Sequence, residues 1–138
     1  MEASNGGRTV SLVIPAKPDY VVLARLALSA VCRLSPLAPE EAADLKLAIT
    51  EAATYMMGGE RRHSARGEGG EGDDAGTLKF TFELGDDALV LAVSGTELPT
   101  VSDEERELSL ALIRATVDSY DYTDGTMRLT KHLDYSAE

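Results

Sequence analysis

Hydrophobic and polar residues follow two different periods along this chain, and the changes between them mark its elements. Strict alternation over Thr77–Leu84, and a shorter alternation from Val10 to Ile14, is typical of strands with one face in water. From Pro39 onward the apolar residues instead recur three and four apart, which predicts a helix with one buried stripe. That stripe consists of Leu45, Ala48, Ile49, Ala52, Ala53 and Met56.

Further elements are indicated by capping and turn residues. Asp19 is positioned to cap a first helix, whose apolar stripe reads Leu23, Leu26, Ala27, Ala30, Val31 and Leu34. Gly85-Asp-Asp87 predicts a hairpin turn into a strand over residues 88–93. Ser102 with Glu105 forms a capping-box pattern for a third helix. Alternation through Met127, Leu129 and Leu133 predicts a closing strand.

The resulting order of strand, helix, helix, strand, strand, helix, strand predicts an α+β fold. Its architecture is a two-layer sandwich, with helices packed on one face of a mostly antiparallel, mixed sheet. Residues 1–8 are expected to form a flexible N-terminus and residues 9–135 a single domain. The segment 58–76 is rich in glycine and lacks periodicity, so it predicts a mobile loop within that domain.

Composition excludes several classes of function. A net charge of -11 leaves no clustered basic face for nucleic acid. No apolar run reaches the roughly 20 residues that span a bilayer, and the first residues lack a signal-peptide pattern, so we expect a cytoplasmic protein that does not enter membranes. The single cysteine, Cys32, fits a small core residue. His63 and His132 lie far apart and without metal-ligand spacing, so no metal site is predicted.

Two separated motifs carry a family resemblance. Asp44–Tyr55 reads D-L-K-L-A-I-T-E-A-A-T-Y, and Arg106–Asp118 reads R-E-L-S-L-A-L-I-R-A-T-V-D. Both resemble the bacterial anti-sigma-factor serine kinases, which are small members of the GHKL (histidine-kinase-like) ATPase superfamily. The similarity runs from about Val10 to Leu133 and implies the GHKL ATPase-like fold.

In such kinases a glutamate on the second helix acts as the general base, and an asparagine one turn later holds the magnesium of Mg-ATP. The resemblance assigns Glu51 to the base and Tyr55 to the position of the asparagine. A phenol is a poor ligand for a hard cation that prefers carboxylate, carbonyl and water oxygens. Glu51 is therefore interpreted as a vestigial base, which is a solvated helix residue if catalysis is lost.

The two glycine boxes of the family are also altered. Gly95 stands where the resemblance places the aspartate that binds adenine, while Glu97 and Pro99 replace the glycines of the first box. In the second box Glu107 and Ser109 replace glycines that let backbone amides approach phosphate. Each change is expected to weaken nucleotide binding by about 1 to 3 kcal/mol.

The resemblance implies an anti-sigma-factor-like regulatory protein that acts by protein binding, and the altered motifs predict that it has no ATP cofactor and no kinase activity. Its expected partner is a sigma factor or an anti-sigma antagonist, and it is expected to form a homodimer or a heterodimer with a paralogue. One alternative is an active serine/threonine kinase that still uses Glu51 and Mg-ATP. Another is a small-molecule sensor whose altered pocket is lined by Tyr55.

Overall fold

Three helices lie on one face of a five-stranded sheet in the computed structural model, which describes residues 8–58, 76–96 and 100–134. Here α1, α2 and α3 are the helices and β1 to β5 the strands. In chain order the elements are β1 (Arg8–Pro15), a 3-10 turn (Pro18–Tyr20), α1 (Val21–Arg33), α2 (Pro39–Met56), β2 (Thr77–Leu84), β3 (Ala88–Gly95), α3 (Asp103–Thr116), β4 (Ser119–Thr123) and β5 (Thr126–His132). The predicted α+β class is confirmed.

The sheet has the order β1-β2-β3-β5-β4, and all four pairings of the described strands are antiparallel. The predicted hairpin joins β2 to β3, where the Gly85 N–H donates to the carbonyl oxygen of Ala88 at 2.9 Å. The β4–β5 turn has Asp124 at φ 56° and Gly125 at φ 75°. Positive φ at both central residues is the backbone conformation that a two-residue hairpin with right-handed twist requires.

The core lies between the helices and the inner face of the sheet. The predicted stripe of α2 is confirmed, since all six of its residues are buried. Pro39 occupies the first turn of that helix, where its missing N–H costs no hydrogen bond. Opposite α2, alternate residues of the inner strands complete the core: Leu78, Phe80, Phe82, Leu84, Leu89, Leu91, Val93, Met127 and Leu129.

The predictions for α1 were wrong in two respects. Its N-terminal cap is Tyr20, preceded by the 3-10 turn, and no side chain forms a capping hydrogen bond, so Asp19 does not cap the helix. The buried residues of α1 are Val21, Ala24, Leu28, Val31 and Cys32. Of the predicted stripe only Val31 is buried, and Leu23, Leu26 and Leu34 are exposed. The helix is apolar on both faces, and the face with smaller side chains packs on the sheet and α2.

Strand β4 was not among the predicted elements. It has five residues and pairs with β5 at the edge of the sheet. The predicted closing strand is confirmed as β5. Most of the predicted flexible N-terminus and of the glycine-rich loop lies outside the described residues, which omit 1–7 and 59–75.

Candidate functional site

Helix α2 carries Glu51 and Tyr55 one turn apart on the same flank. Both side chains are half-buried, and Tyr55 packs against the edge of the core. The spacing of four residues places them one above the other along the helix. Helix α2 packs against both α1 and α3, and this flank faces α3. The vestigial base and the residue at the position of the family's asparagine therefore lie together.

Glu51 is engaged by the helix opposite. The hydroxyl of Ser109 on α3 donates a hydrogen bond to Glu51 Oε2, and the two oxygens are 2.6 Å apart. That distance is in the range of O–H···O⁻ hydrogen bonds to an ionised carboxylate. Ser109 is only 7% exposed, and it is the buried polar residue of the described core. The carboxylate that the resemblance assigns to catalysis thus joins α2 to α3.

The second glycine box lies inside α3. Ser102 is the N-cap, its Oγ accepts from the Glu105 N–H at 3.1 Å, and its carbonyl accepts from the Arg106 N–H at 2.9 Å. The capping prediction at Ser102 is confirmed. Residues 107–110 follow within the helix, where each N–H bonds to a carbonyl four residues earlier. The amides of the box are therefore used within the helix.

The N-terminal end of α3 is acidic. Asp103, Glu104 and Glu105 fill its first turn. Negative side chains at this position stabilise a helix, since they face the positive end of its dipole. A phosphate is favoured by the same unpaired N–H groups and the same dipole. The three carboxylates at this end therefore repel a phosphate, which carries more negative charge than any one of them.

Two tyrosine rings meet at the C-terminal end of α2. Tyr55 and Tyr122 of β4 form an edge-to-face pair, with ring centroids 6.1 Å apart and planes at 89°. Burial raises the pKa of Tyr122 above its ordinary value, and the neighbouring Tyr55 adds a smaller upward contribution. The two rings pack edge to face, so the flank near Glu51 ends in an aromatic pair.

The first glycine box is only partly described. Gly95 is the last residue of β3 and pairs with Leu78 of β2. Just beyond it, the Thr96 N–H donates to the Thr77 carbonyl at 3.2 Å, and Thr96 Oγ1 accepts from the Thr77 N–H at 3.0 Å. Gly95 therefore continues the sheet. Glu97 and Pro99 lie outside the described residues.

Two features of the site were not predicted from the sequence: the Ser109 hydrogen bond and the contact with Tyr122. The helical state of residues 107–110 was predicted, because the helix that opens at Ser102 continues through Leu108, and it is confirmed. Tyr122 gave no signal in the sequence, because its strand was not recognised.

No group of three or more histidine, cysteine, aspartate or glutamate side chains within the described ranges is arranged to hold a metal ion. Over the same part of the chain, none of the helices combines the length and the apolar character needed to cross a bilayer.

Comparison with known proteins agrees with this geometry. A serine-protein kinase RsbW from Listeria monocytogenes serotype 4a (strain HCC23) is 34% identical over 85 residues, covering 62% of this chain and 48% of the relative. RsbW from Bacillus pumilus (strain SAFR-032) is 35% identical over 74 residues, covering 54% of this chain and 43% of the relative. RsbW from Bacillus cereus (strain AH187) is 29% identical over 85 residues, with 62% and 47% covered.

The chain thus spans about half the length of the curated relatives it matches. The family model for the histidine kinase-like ATPase domain matches residues 14–131, from the end of β1 through nearly all of β5. With the three-helix, five-stranded architecture and the α2 and α3 motifs in their expected places, the chain belongs to the histidine kinase-like ATPase domain family.

Proposed function

We propose that this protein is an anti-sigma-factor-like regulator in a bacterial cytoplasm, which acts by binding a protein partner and does not use ATP. The observation that carries the proposal is the second glycine box. Its residues 107–110 lie within α3, and Ser109 donates a hydrogen bond to the carboxylate of Glu51. Similarity to the serine-protein kinases RsbW supports the regulatory setting.

We infer the loss of nucleotide binding from three changes in one region. The box amides are paired inside the helix, the acidic first turn of α3 repels phosphate, and Tyr55 and Tyr122 form an aromatic contact at the position of the metal-binding asparagine. At about 1 to 3 kcal/mol for each lost interaction, three such changes weaken binding by several powers of ten.

Thermal unfolding with Mg-ATP tests this part of the proposal. A ligand at about 1,000 times its Kd stabilises a folded domain by about 4 kcal/mol. We expect millimolar Mg-ATP to leave the Tm unchanged. A large rise in Tm, or transfer of labelled phosphate to a serine of a partner protein, would instead support the kinase alternative, in which Glu51 is still the base.

The surface available to a partner is the outward face of α1. Val22, Leu23 and Leu26 are exposed there, and Leu26 is 62% exposed. The helix contains Arg25 and Arg33 and no acidic residue, although the whole chain has a net charge of -11. An apolar face edged by cations is complementary to an amphipathic helix with acidic flanks.

We assign this face to a sigma factor that presents such a helix. The test uses purified candidate sigma factors of the host and two variants, Leu26→Asp and Leu108→Asp. Leu108 is a matched control, since it is 71% exposed on α3. We expect Leu26→Asp to weaken binding at least tenfold, which corresponds to about 1.4 kcal/mol, and Leu108→Asp to leave it unchanged.

Sedimentation of the same variants separates the possible occupants of the α1 face. If Leu26→Asp dissociates a homodimer or a paralogue heterodimer while sigma-factor binding persists, the face belongs to a second copy or a paralogue, and the assignment is wrong. Equal weakening by both substitutions would also contradict it, because the loss would then be general.

A further inference from the structure

The outer face of the sheet contains an open trough of about 260 Å³ that faces away from all three helices. Its floor is the central strand β3, where Val90, Ala92 and Ser94 present short side chains. Longer side chains of β2 and β5 form its two walls. The trough exists because small residues alternate outward along the middle strand between strands that carry long ones.

Two cations stand on opposite walls of the trough. Lys79 of β2 pairs across the sheet with Ser94, and Arg128 of β5 pairs with Ala92. Strands β2 and β5 flank β3 and are therefore about 10 Å apart, so a lysine and an arginine side chain can converge on one group above the floor. Neither cation forms an ion pair within the described part of the chain, in contrast to Arg106 and Lys131.

Hydroxyl groups line the trough around the two cations. Thr81, Ser94 and Thr126 line the trough, and Ser94 pairs directly with Thr126. The wall and floor thus offer an ammonium, a guanidinium and hydroxyl donors to one ligand. A carboxylate has two oxygens to accept these bonds, whereas a phosphoryl group has three, and guanidinium matches its geometry with two parallel bonds.

Acidic groups are present on this face, but outside the space between the cations. Glu83 lines the other end of the trough, four residues from Lys79 and therefore about 13 Å along β2, and the register places it as far from Arg128 as Lys79 is. Asp121 of β4 pairs with Arg128, and its Oδ1 accepts from Thr123 Oγ1 at 2.8 Å. The remaining negative charge of the molecule is screened over about 10 Å at 0.1 M salt.

We propose that this trough binds the phosphoryl group of a small phosphate monoester, between Lys79 and Arg128 and above Ser94. The volume is below the range of about 300 to 1,000 Å³ typical of drug-sized ligands, which agrees with a small molecule. This inference is independent of the proposed regulatory function, since it concerns the face of the sheet opposite the helices.

Two-dimensional ¹H–¹⁵N spectra of the full chain, titrated with glycerol phosphate at constant ionic strength, test the proposal. We expect saturable shifts, in the low-millimolar range, at the amides of Ser94 and Thr126. The variants Lys79→Gln and Arg128→Gln should each weaken binding about tenfold, on the scale of a lost charged hydrogen bond. Arg8→Gln at the start of β1 removes one exposed cation elsewhere and should change the affinity less than twofold.

Titrations with two other ligands identify the chemistry that the trough recognises. Inorganic phosphate should shift the same amides with equal or weaker affinity, and succinate should bind more weakly than both. Both wall cations are exposed, so the variants are expected to keep the dispersion of the wild-type spectrum. Absence of saturable shifts, equal weakening by Arg8→Gln, or stronger binding of succinate would overturn the proposal.

Discussion

The hydrogen bond between Ser109 and Glu51 predicts a measurable energetic coupling between α2 and α3. Glu51→Ala removes the acceptor and leaves a buried hydroxyl without its partner, which costs about 1 to 3 kcal/mol. The lower half of that range is expected, because a serine within a helix can turn its hydroxyl to a carbonyl of the preceding turn.

A double-mutant cycle isolates this bond. Glu51→Ala, Ser109→Ala and the double variant are compared by urea unfolding, and we expect a coupling energy of about 1 to 2 kcal/mol, as for contacting residues that share a hydrogen bond. For a chain of 138 residues, each kcal/mol lowers the Tm by about 3 to 4 °C. Glu51→Gln keeps an acceptor oxygen and should be less destabilising than Glu51→Ala.

A matched control uses an exposed pair on α3. Arg106 and Asp103 approach to 3.6 Å at the surface, and exposed ion pairs of this kind couple by well under about 1 kcal/mol. A coupling between Glu51 and Ser109 no larger than that of this control would refute the bond. If a folded Glu51→Ala protein lost partner binding, the assignment of Glu51 to a structural role would be refuted instead.

Three further predictions concern single residues. Tyr55→Asn should not restore Mg-ATP binding in calorimetry, since the box amides remain paired, and it should cost about 0.5 to 1.5 kcal/mol from the lost contact with Tyr122; micromolar ATP binding would contradict it. Burial raises the pKa of the Cys32 thiol above 9.0, against a smaller lowering by Lys46. The folded state therefore keeps the thiol proton to a higher pH than the unfolded state does. This contribution to stability is complete below pH 9 and is lost as the pH rises beyond it. Between pH 8 and pH 10.5, the free energy of unfolding measured in urea should therefore fall more steeply for the wild type than for Cys32→Ala, and identical slopes would exclude the effect. Phe82→Ala, at a fully buried position on the inner face of β2, should cost about 3 to 5 kcal/mol, and a loss below about 1 kcal/mol in denaturant unfolding would show that the core does not enclose that ring.

The elements predicted correctly are those in which one face alone is apolar. In α2 and β2 the apolar residues define a single buried side, so the period fixes both the element and its orientation. In α1 apolar residues surround the helix, and Leu26 satisfies the helical period as well as Leu28 does. Which of them is buried depends on how closely the helix approaches the sheet, and local periodicity does not contain that distance.

The candidate site was only partly predictable for a related reason. The residue identities at Glu51, Tyr55 and Ser109 were available from the two motifs, and so was the loss of the glycines. The hydrogen bond of Ser109 and the ring contact of Tyr122 depend on which elements pack together. Strand β4, with its short and largely exposed sequence Ser119–Thr123, is stabilised chiefly by pairing with β5, so its own pattern gave little signal.

The order of strands in the sheet has a consequence for folding. The β2–β3 hairpin closes over a three-residue turn, and β5 pairs with β3 after α3 and β4, but β1 can pair with β2 only across the long connection that contains α1 and α2. Closing that longest loop carries the largest entropy cost. We therefore expect β1 to be the last strand to dock. Among the long strands, it should show the weakest amide protection against hydrogen exchange, so that transient opening of the native sheet begins at the β1 edge.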